Sequence, residues 1–135
     1  LLCKVKILGS ELRAIVEHSL SFLKKDDLGK ISFAPEYQDL LFNFDVFYPI
    51  DYEADLSREV GQRLTKFELK GRAIEPEKSY YLAVNNYRAM GGGFYPCYSQ
   101  DKIEETLDKD YVQMFQEFLT QAKIPVDPRK NYKFY

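Results

Sequence analysis

Three consecutive glycines, Gly91, Gly92 and Gly93, sit inside the stretch NNYRAMGGGFYP, Asn85 to Pro96, and constrain this chain more than any other feature. Glycine lets a backbone enter positive φ and approach another group closely, but it loses more conformational freedom on ordering than any other residue. The preceding run Tyr80 to Val84 (YYLAV) has the length and the aromatic and β-branched content of a strand, so the loop opens at a strand end. Phe94 and Tyr95 follow, and Pro96 stiffens the exit and biases Tyr95 towards extended backbone. The plain reading is a long glycine turn between two elements. A phosphate cradle fits poorly, since the spacing is neither GxGxxG nor GxxxxGKS/T and no Lys follows the glycines.

The rest of the chain reads as alternating strands and two main helices. Cys3, Val5 and Ile7 alternate with Lys4 and Lys6, which predicts a half-buried strand over Leu2 to Leu8. Ser10 is a good N-cap, and Leu12, Ile15, Val16, Ser19, Leu20 and Leu23 recur at helical spacing, predicting a helix that ends near Lys24. Lys24 to Lys30 reads as a charged loop and Ile31 to Ala34 as a short strand stopped by Pro35. The segment Pro35 to Asp51 is dense in aromatics, and most of them are expected to fill a core between sheets. Ile50 to Ala54 alternates as an edge-type strand, and Gln62 to Leu69 and Arg72 to Ile74 read as a hairpin about Lys70-Gly71. Ser99 to Asp108 is polar, with room for a short helical turn. Asp110 is expected to cap a final helix in a capping-box arrangement with Gln113, and its stripe Tyr111, Met114, Phe115, Phe118, Leu119 and Ala122 is expected to be core. Asn131 to Tyr135 could add a last strand.

A chain of 135 residues fits one domain, residues 1 to 135, with a real core. Its net charge of −2 argues against binding a nucleic-acid polymer, which needs clustered Lys and Arg, but leaves single nucleotides open. Only Cys3 and Cys97 are present, far apart, and His18 is the single histidine, so neither a disulfide framework nor a His-rich metal centre can be read here. His18 is expected to be structural, at the surface or half-buried. No apolar run approaches the ~20 residues of a transmembrane helix.

The stretch NNYRAMGGGFYP resembles the motif of the C-terminal substrate-binding domain of the 5'-nucleotidase family, most of all its bacterial 2',3'-cyclic-nucleotide 2'-phosphodiesterase/3'-nucleotidase group. The run FNFDVFYPIDYEADLSREVGQRL, Phe42 to Leu64, is similar to a second segment of that group, although Phe47 to Ile50 stand where a glycine is common. VKILGSELRAIVEHS, Val5 to Ser19, resembles the strand and helix after the family's linker and would be scaffold.

The resemblance implies an α+β fold: a layered α/β domain with mixed β-sheets and two main helices. It implies a substrate-binding set of Phe44 and Tyr95 as two plates clamping a nucleobase, Asp101 accepting from ribose hydroxyls, and the loop residues Asn86, Gly91, Gly92 and Gly93, with Asn86 and Arg88 mainly fixing the loop. Catalytic residues and metal ligands are not expected in this chain. The family's two divalent metal ions belong to an upstream metallophosphatase domain of the same polypeptide, which would be the chain's partner along with the nucleotide or nucleoside itself. The expected function is the base- and ribose-binding part of a metal-dependent nucleotide phosphohydrolase, extracellular, in the cell wall or periplasmic. The alternative is a stand-alone nucleoside-binding or interaction module without hydrolysis, and a third idea is a sugar-binding domain.

Overall fold

The computed structural model describes residues 1–121 and 123–135. Strand β1, Leu2–Leu8, runs straight into helix α1, Gly9–Leu20. The passage needs no loop because Gly9 lies against the turn at 75–78: a Cβ at Gly9 would stand 2.0 Å from the Glu75 carbonyl oxygen. Gly9 N donates to Lys78 O at 2.8 Å and Ser10 N to Pro76 O at 2.9 Å, so that turn satisfies part of the helix's first turn. Ser10 is therefore not the N-cap. The cap position is Leu8, whose side chain has no acceptor; the Glu11 carboxylate accepts from the Leu8 amide at 2.9 Å instead.

The helix also ends earlier than Lys24. Leu23–Lys25 forms strand β2, paired with β3, Ile31–Phe33, and the expected loop shrinks to a turn in which the Asp26 carboxylate accepts from the amides of Leu28 and Lys30. A 3-10 segment, Pro35–Asn43, follows. Next come β4, Ile50–Ala54, β5, Leu64–Leu69, and β6, Arg72–Ala73, with a turn at Lys70 and Gly71, both at positive φ. Strand β7, Ser79–Asn85, leads into the short helix α2, Asn86–Ala89. Strand β8 is Ile103–Leu107, helix α3 is Tyr111–Leu119 and strand β9 is Tyr132–Phe134.

Two larger sheets result, an antiparallel one ordered β7-β1-β8 and a mixed one ordered β6-β5-β4-β9 in which β9 runs parallel to β4. This is the α+β, mixed-sheet architecture expected from the sequence. Cys3, Val5 and Ile7 of β1 join Leu12, Ile15, Val16 and Leu20 of α1 and Tyr52, Leu64 and Phe67 of the second sheet in a single core. Buried Glu17 secures α1 to β5 by accepting from the amides of Arg63 at 3.1 Å and Leu64 at 2.7 Å, so its charge faces two donors rather than an apolar wall.

Three expectations need correction. Strand β4 is interior, not an edge, because the C-terminal strand covers it: Tyr52 N donates to Asn131 O and Tyr135 N to Ala54 O, each at 3.0 Å. Ser99 to Asp108 holds the expected short helical turn, the 3-10 segment Gln100–Lys102, but then a full strand, β8, whose charged, exposed residues hide the strand signal. Helix α3 forms, and the Asp110 carboxylate accepts from the amides of Val112 and Gln113. Its apolar stripe is not core, since Tyr111, Phe115, Phe118 and Leu119 are all exposed. The capping box is half made, with the Gln113 side chain turned to Glu117. Ala122 of that stripe lies outside the described residues.

Candidate functional site

The glycine loop is held at its entrance by Asn85, whose side-chain oxygen accepts from the Arg88 amide at 2.7 Å as the N-cap of α2. Gly91 and Gly93 sit in the left-handed region, at φ 85° and 74°, where a side chain would be strained. Arg88 is nearly buried and gathers the loop around itself. Its Nε meets Asp45 Oδ2 at 2.7 Å, Nη2 donates to Asp45 Oδ1 at 2.9 Å and to Asn43 O at 3.4 Å, and Nη1 donates to Gly92 O. The guanidinium also lies 4.1 Å from the ring centre of Tyr95, over its π-face. The loop-fixing role expected of Arg88 is thus what the structure shows.

Tyr95 is the second anchor. It is 4% exposed, its hydroxyl donates to Asn43 O at 2.8 Å and accepts from Asp45 N at 3.2 Å, and burial pushes its pKa up to about 12, so the hydroxyl keeps its proton. The Ser19 hydroxyl on α1 donates to Asp45 O at 2.5 Å. His18 beside it stands 4.4 Å from the Tyr95 ring, edge to face, with Nε2 at 3.1 Å from Gly93 O. Burial holds His18 below the usual histidine range, and the Arg88 charge adds to this while the Gly93 carbonyl opposes it. His18 is therefore half-buried and structural, as expected.

This geometry overturns the placement of the two plates. Tyr95 faces the interior, not solvent. Phe44 is half-buried, edge-on to Phe33 with centroids 5.2 Å apart and tilted against Phe22 at 6.2 Å. The physical reason is local packing and hydrogen bonding: the Tyr95 hydroxyl is satisfied by Asn43 O and Asp45 N with the Arg88 guanidinium over its ring, and Phe44 packs against Phe22 and Phe33. The exposed rings are their neighbours, Phe42 at 73% and Phe94 at 87%. Phe42 adjoins Asn43 and Phe94 adjoins Gly93, and those two residues touch: a Cβ at Gly93 would lie 2.6 Å from Asn43 Oδ1.

Tyr87 is the residue that sequence reasoning missed. A Cβ at Gly92 would lie 2.5 Å from its Cζ and 2.6 Å from both Cε atoms, near-equal distances that put Gly92 over the face of the ring. The Tyr87 hydroxyl donates to Asn43 Oδ1 at 3.3 Å, and the residue is 50% exposed. The result is a half-exposed ring backed by glycine, pinned at its tip and with the Arg88 guanidinium 5.6 Å from its centre. The signal in the sequence was the aromatic five residues before the bare Gly92.

The remaining expected site residues sit elsewhere on the rim. Asn86 pairs with Leu1, its amide donating to Leu1 O at 3.0 Å, so it secures β1 to the end of β7. Asp101 is exposed on the 3-10 turn Gln100–Lys102, its carboxyl held below the usual range chiefly by a hydrogen bond from Ser99. That turn is fixed to α1 by the Lys102–Glu11 ion pair. Among the described residues no three His, Cys, Asp or Glu side chains cluster as a metal site. The donor set present does not fit a two-metal centre, and no step through a metal can be built on these residues.

The profile of the 5'-nucleotidase C-terminal domain matches residues 1–100. Among curated proteins, the chain is 25% identical over 139 residues to the trifunctional nucleotide phosphoesterase YfkN of Bacillus subtilis, covering 93% of this chain and 9% of that protein. It is 23% identical over 155 residues to the 2',3'-cyclic-nucleotide 2'-phosphodiesterase/3'-nucleotidase of Haemophilus influenzae, covering 96% of this chain and 23% of that protein. Both relatives are thus far longer than the chain. In fold it is similar to a candidate 5'-nucleotidase of Staphylococcus aureus solved with alpha-ketoglutarate, at a TM-score of 0.88 and 24% identity over 98% of this chain and 27% of that one. It is also similar to the sulfate thiohydrolase SoxB of Thermus thermophilus, at a TM-score of 0.67 and 21% identity over 98% of this chain and 22% of that one.

Proposed function

The chain belongs to the 5'-nucleotidase C-terminal domain family, and on that premise we propose that it is the base- and ribose-binding part of a metal-dependent nucleotide phosphohydrolase acting on 2',3'-cyclic, 3'- or 5'-nucleotides. In this reading the 135 residues form a single substrate-binding domain. The metals and the metallophosphatase residues that bind them belong to another domain of the same polypeptide, in an extracellular, cell-wall or periplasmic setting. The metal ions would supply the activated water and the charge stabilisation of phosphoryl transfer. This chain's residues bind and orient the nucleoside.

The observation that carries the proposal is the Tyr87 ring, held against Gly92 and hydrogen-bonded to Asn43 while half exposed. Holding an aromatic plate rigid before binding leaves little side-chain entropy to be lost when a base stacks on it. Phe42 and Phe94, exposed beside the Asn43–Gly93 contact, would complete the base site. They take over the part first expected of Phe44 and Tyr95, which now support the loop from beneath. Asp101 retains the ribose role as part of this proposal, with its charge exposed to solvent.

In the intact polypeptide Tyr87→Ala should weaken binding of adenosine 2',3'-cyclic phosphate by about 5- to 150-fold, the equivalent of ~1–3 kcal/mol of stacking. Turnover of a base-free ester such as ribose phosphate should be unchanged, because the lost contact is with the base alone. Equal losses on both substrates would assign Tyr87 to loop folding and overturn the proposal.

A further inference from the structure

Strand β7 is an edge of its sheet and is built unlike an edge. It is seven residues long, SYYLAVN, with no charge and no proline, and it pairs with β1 over its whole length without a register shift. Natural edge strands are blunted by charge, proline, bulges or shortness, since an unprotected edge recruits other strands. The other edges of this molecule follow that rule. Strand β8 carries Glu104 and Glu105 and a register shift, β6 is two residues with Arg72, and β9 is three residues with Lys133.

The groups left over can be named. Gly9 N donates to Lys78 O and Asn86 N to Leu1 O, so those pairs are the hydrogen-bonded ones at the two ends of the ladder. In an antiparallel ladder such pairs alternate, which places the N–H and C=O of Tyr80, Leu82 and Val84 towards β1 and those of Tyr81 and Ala83 outwards. Among the described residues no strand receives them.

Beside this edge lies a cavity of about 390 Å³ lined by Tyr80, Leu82 and Val84 of β7 and by Phe47, Ile50 and Leu69 across from them. The Tyr98 side chain lines it too, and its hydroxyl is buried with no hydrogen-bond partner among the described residues, in a side chain only 8% exposed. An open groove lined by these apolar side chains together with Asp45, Asn85 and Arg88, a row of unused backbone groups and an orphaned hydroxyl all ask for the same occupant.

We infer that the outer edge of β7 pairs with a further β-strand from elsewhere in the same polypeptide, whose alternate apolar side chains fill this groove and which supplies a polar partner to Tyr98. The source is argued from length, since the chain covers 9% and 23% of its curated relatives and 27% of the S. aureus structure it matches in fold. A strand tethered on the same chain is present at high effective concentration, whereas a second molecule must be captured from solution. The proposal is independent of the base-binding reading, because no atom of the Tyr87 plate takes part in it.

Hydrogen exchange on the intact, monomeric polypeptide tests it. The Tyr81 and Ala83 amides should exchange at least about 100-fold more slowly than unstructured amides. Exchange at unstructured rates, or protection that appears only at concentrations where the protein dimerises, would overturn the assignment. A second readout uses Tyr98→Phe in the same polypeptide. Removing a hydroxyl that has a partner lowers the thermal midpoint, whereas removing one that is orphaned raises it or leaves it unchanged. A lowered midpoint is expected; the other two results overturn the proposal.

Discussion

Arg88 holds Asp45 at two points, Nε to Oδ2 at 2.7 Å and Nη2 to Oδ1 at 2.9 Å, and so locks the glycine loop to a segment 43 positions earlier in the chain. The Arg88 side chain is 6% exposed and that of Asp45 28%, so the pair is shielded on the arginine side and open on the carboxylate side. Around it, Tyr95 is held inward by the bonds of its hydroxyl to Asn43 O and Asp45 N, Phe44 packs on Phe22 and Phe33, and Phe42, Tyr87 and Phe94 remain exposed.

Asp45→Ala should destabilise the protein by about 3 kcal/mol, the low end of the range for stranding one member of a buried ion pair. Arg88→Lys should also destabilise it, because one ammonium cannot span the carboxylate and the carbonyls of Asn43 and Gly92 together. Urea unfolding of Asp45→Ala, Arg88→Met and the double variant should give a combined loss clearly below the sum of the two. Strict additivity would mean the two residues are energetically separate.

Gly92→Ala should act through Tyr87. Gly92 is not at positive φ, so the backbone accepts alanine, and the obstacle is the Tyr87 ring 2.5 Å from the new methyl. Nucleotide affinity should fall about as far as in Tyr87→Ala, and Gly92→Ala should add nothing in a Tyr87→Ala background, since residues in contact couple. An equal effect of the alanine in both backgrounds, read by calorimetric titration, would contradict the backing-plate geometry.

Stability should fall as pH drops through the histidine range. Burial, reinforced by Arg88, lowers the His18 pKa in the folded state, so between that value and the ~6.5 of an unfolded histidine the unfolded chain binds more protons. The contribution is fully present above about pH 6.5 and is lost as pH falls towards and through the folded value. His18→Gln, which can still donate to Gly93 O, should flatten this part of the profile of thermal midpoint against pH. An unchanged slope in the variant would assign the pH dependence to other groups.

The sequence by itself determined the local elements and the loop. Strand β1 was written in the alternation of Cys3, Val5 and Ile7, α3 in its apolar stripe, the β5–β6 turn in Lys70-Gly71, and the glycine loop in residues that reach positive φ. Each of these depends on residues a few positions apart, and so each leaves a period or a turn signature. What the tertiary structure decided was burial. Phe42 lies near the end of a 3-10 segment and Phe44 caps it, and packing against the distant Phe22 and Phe33 half-buries Phe44 while Phe42 stays exposed. The same holds for β4, which looked like an edge until β9 covered it, and for α3, whose amphipathic pattern records that a face is apolar without recording what packs on it. A hydrophobic pattern states the preference of a segment, and long-range partners determine whether that preference is met.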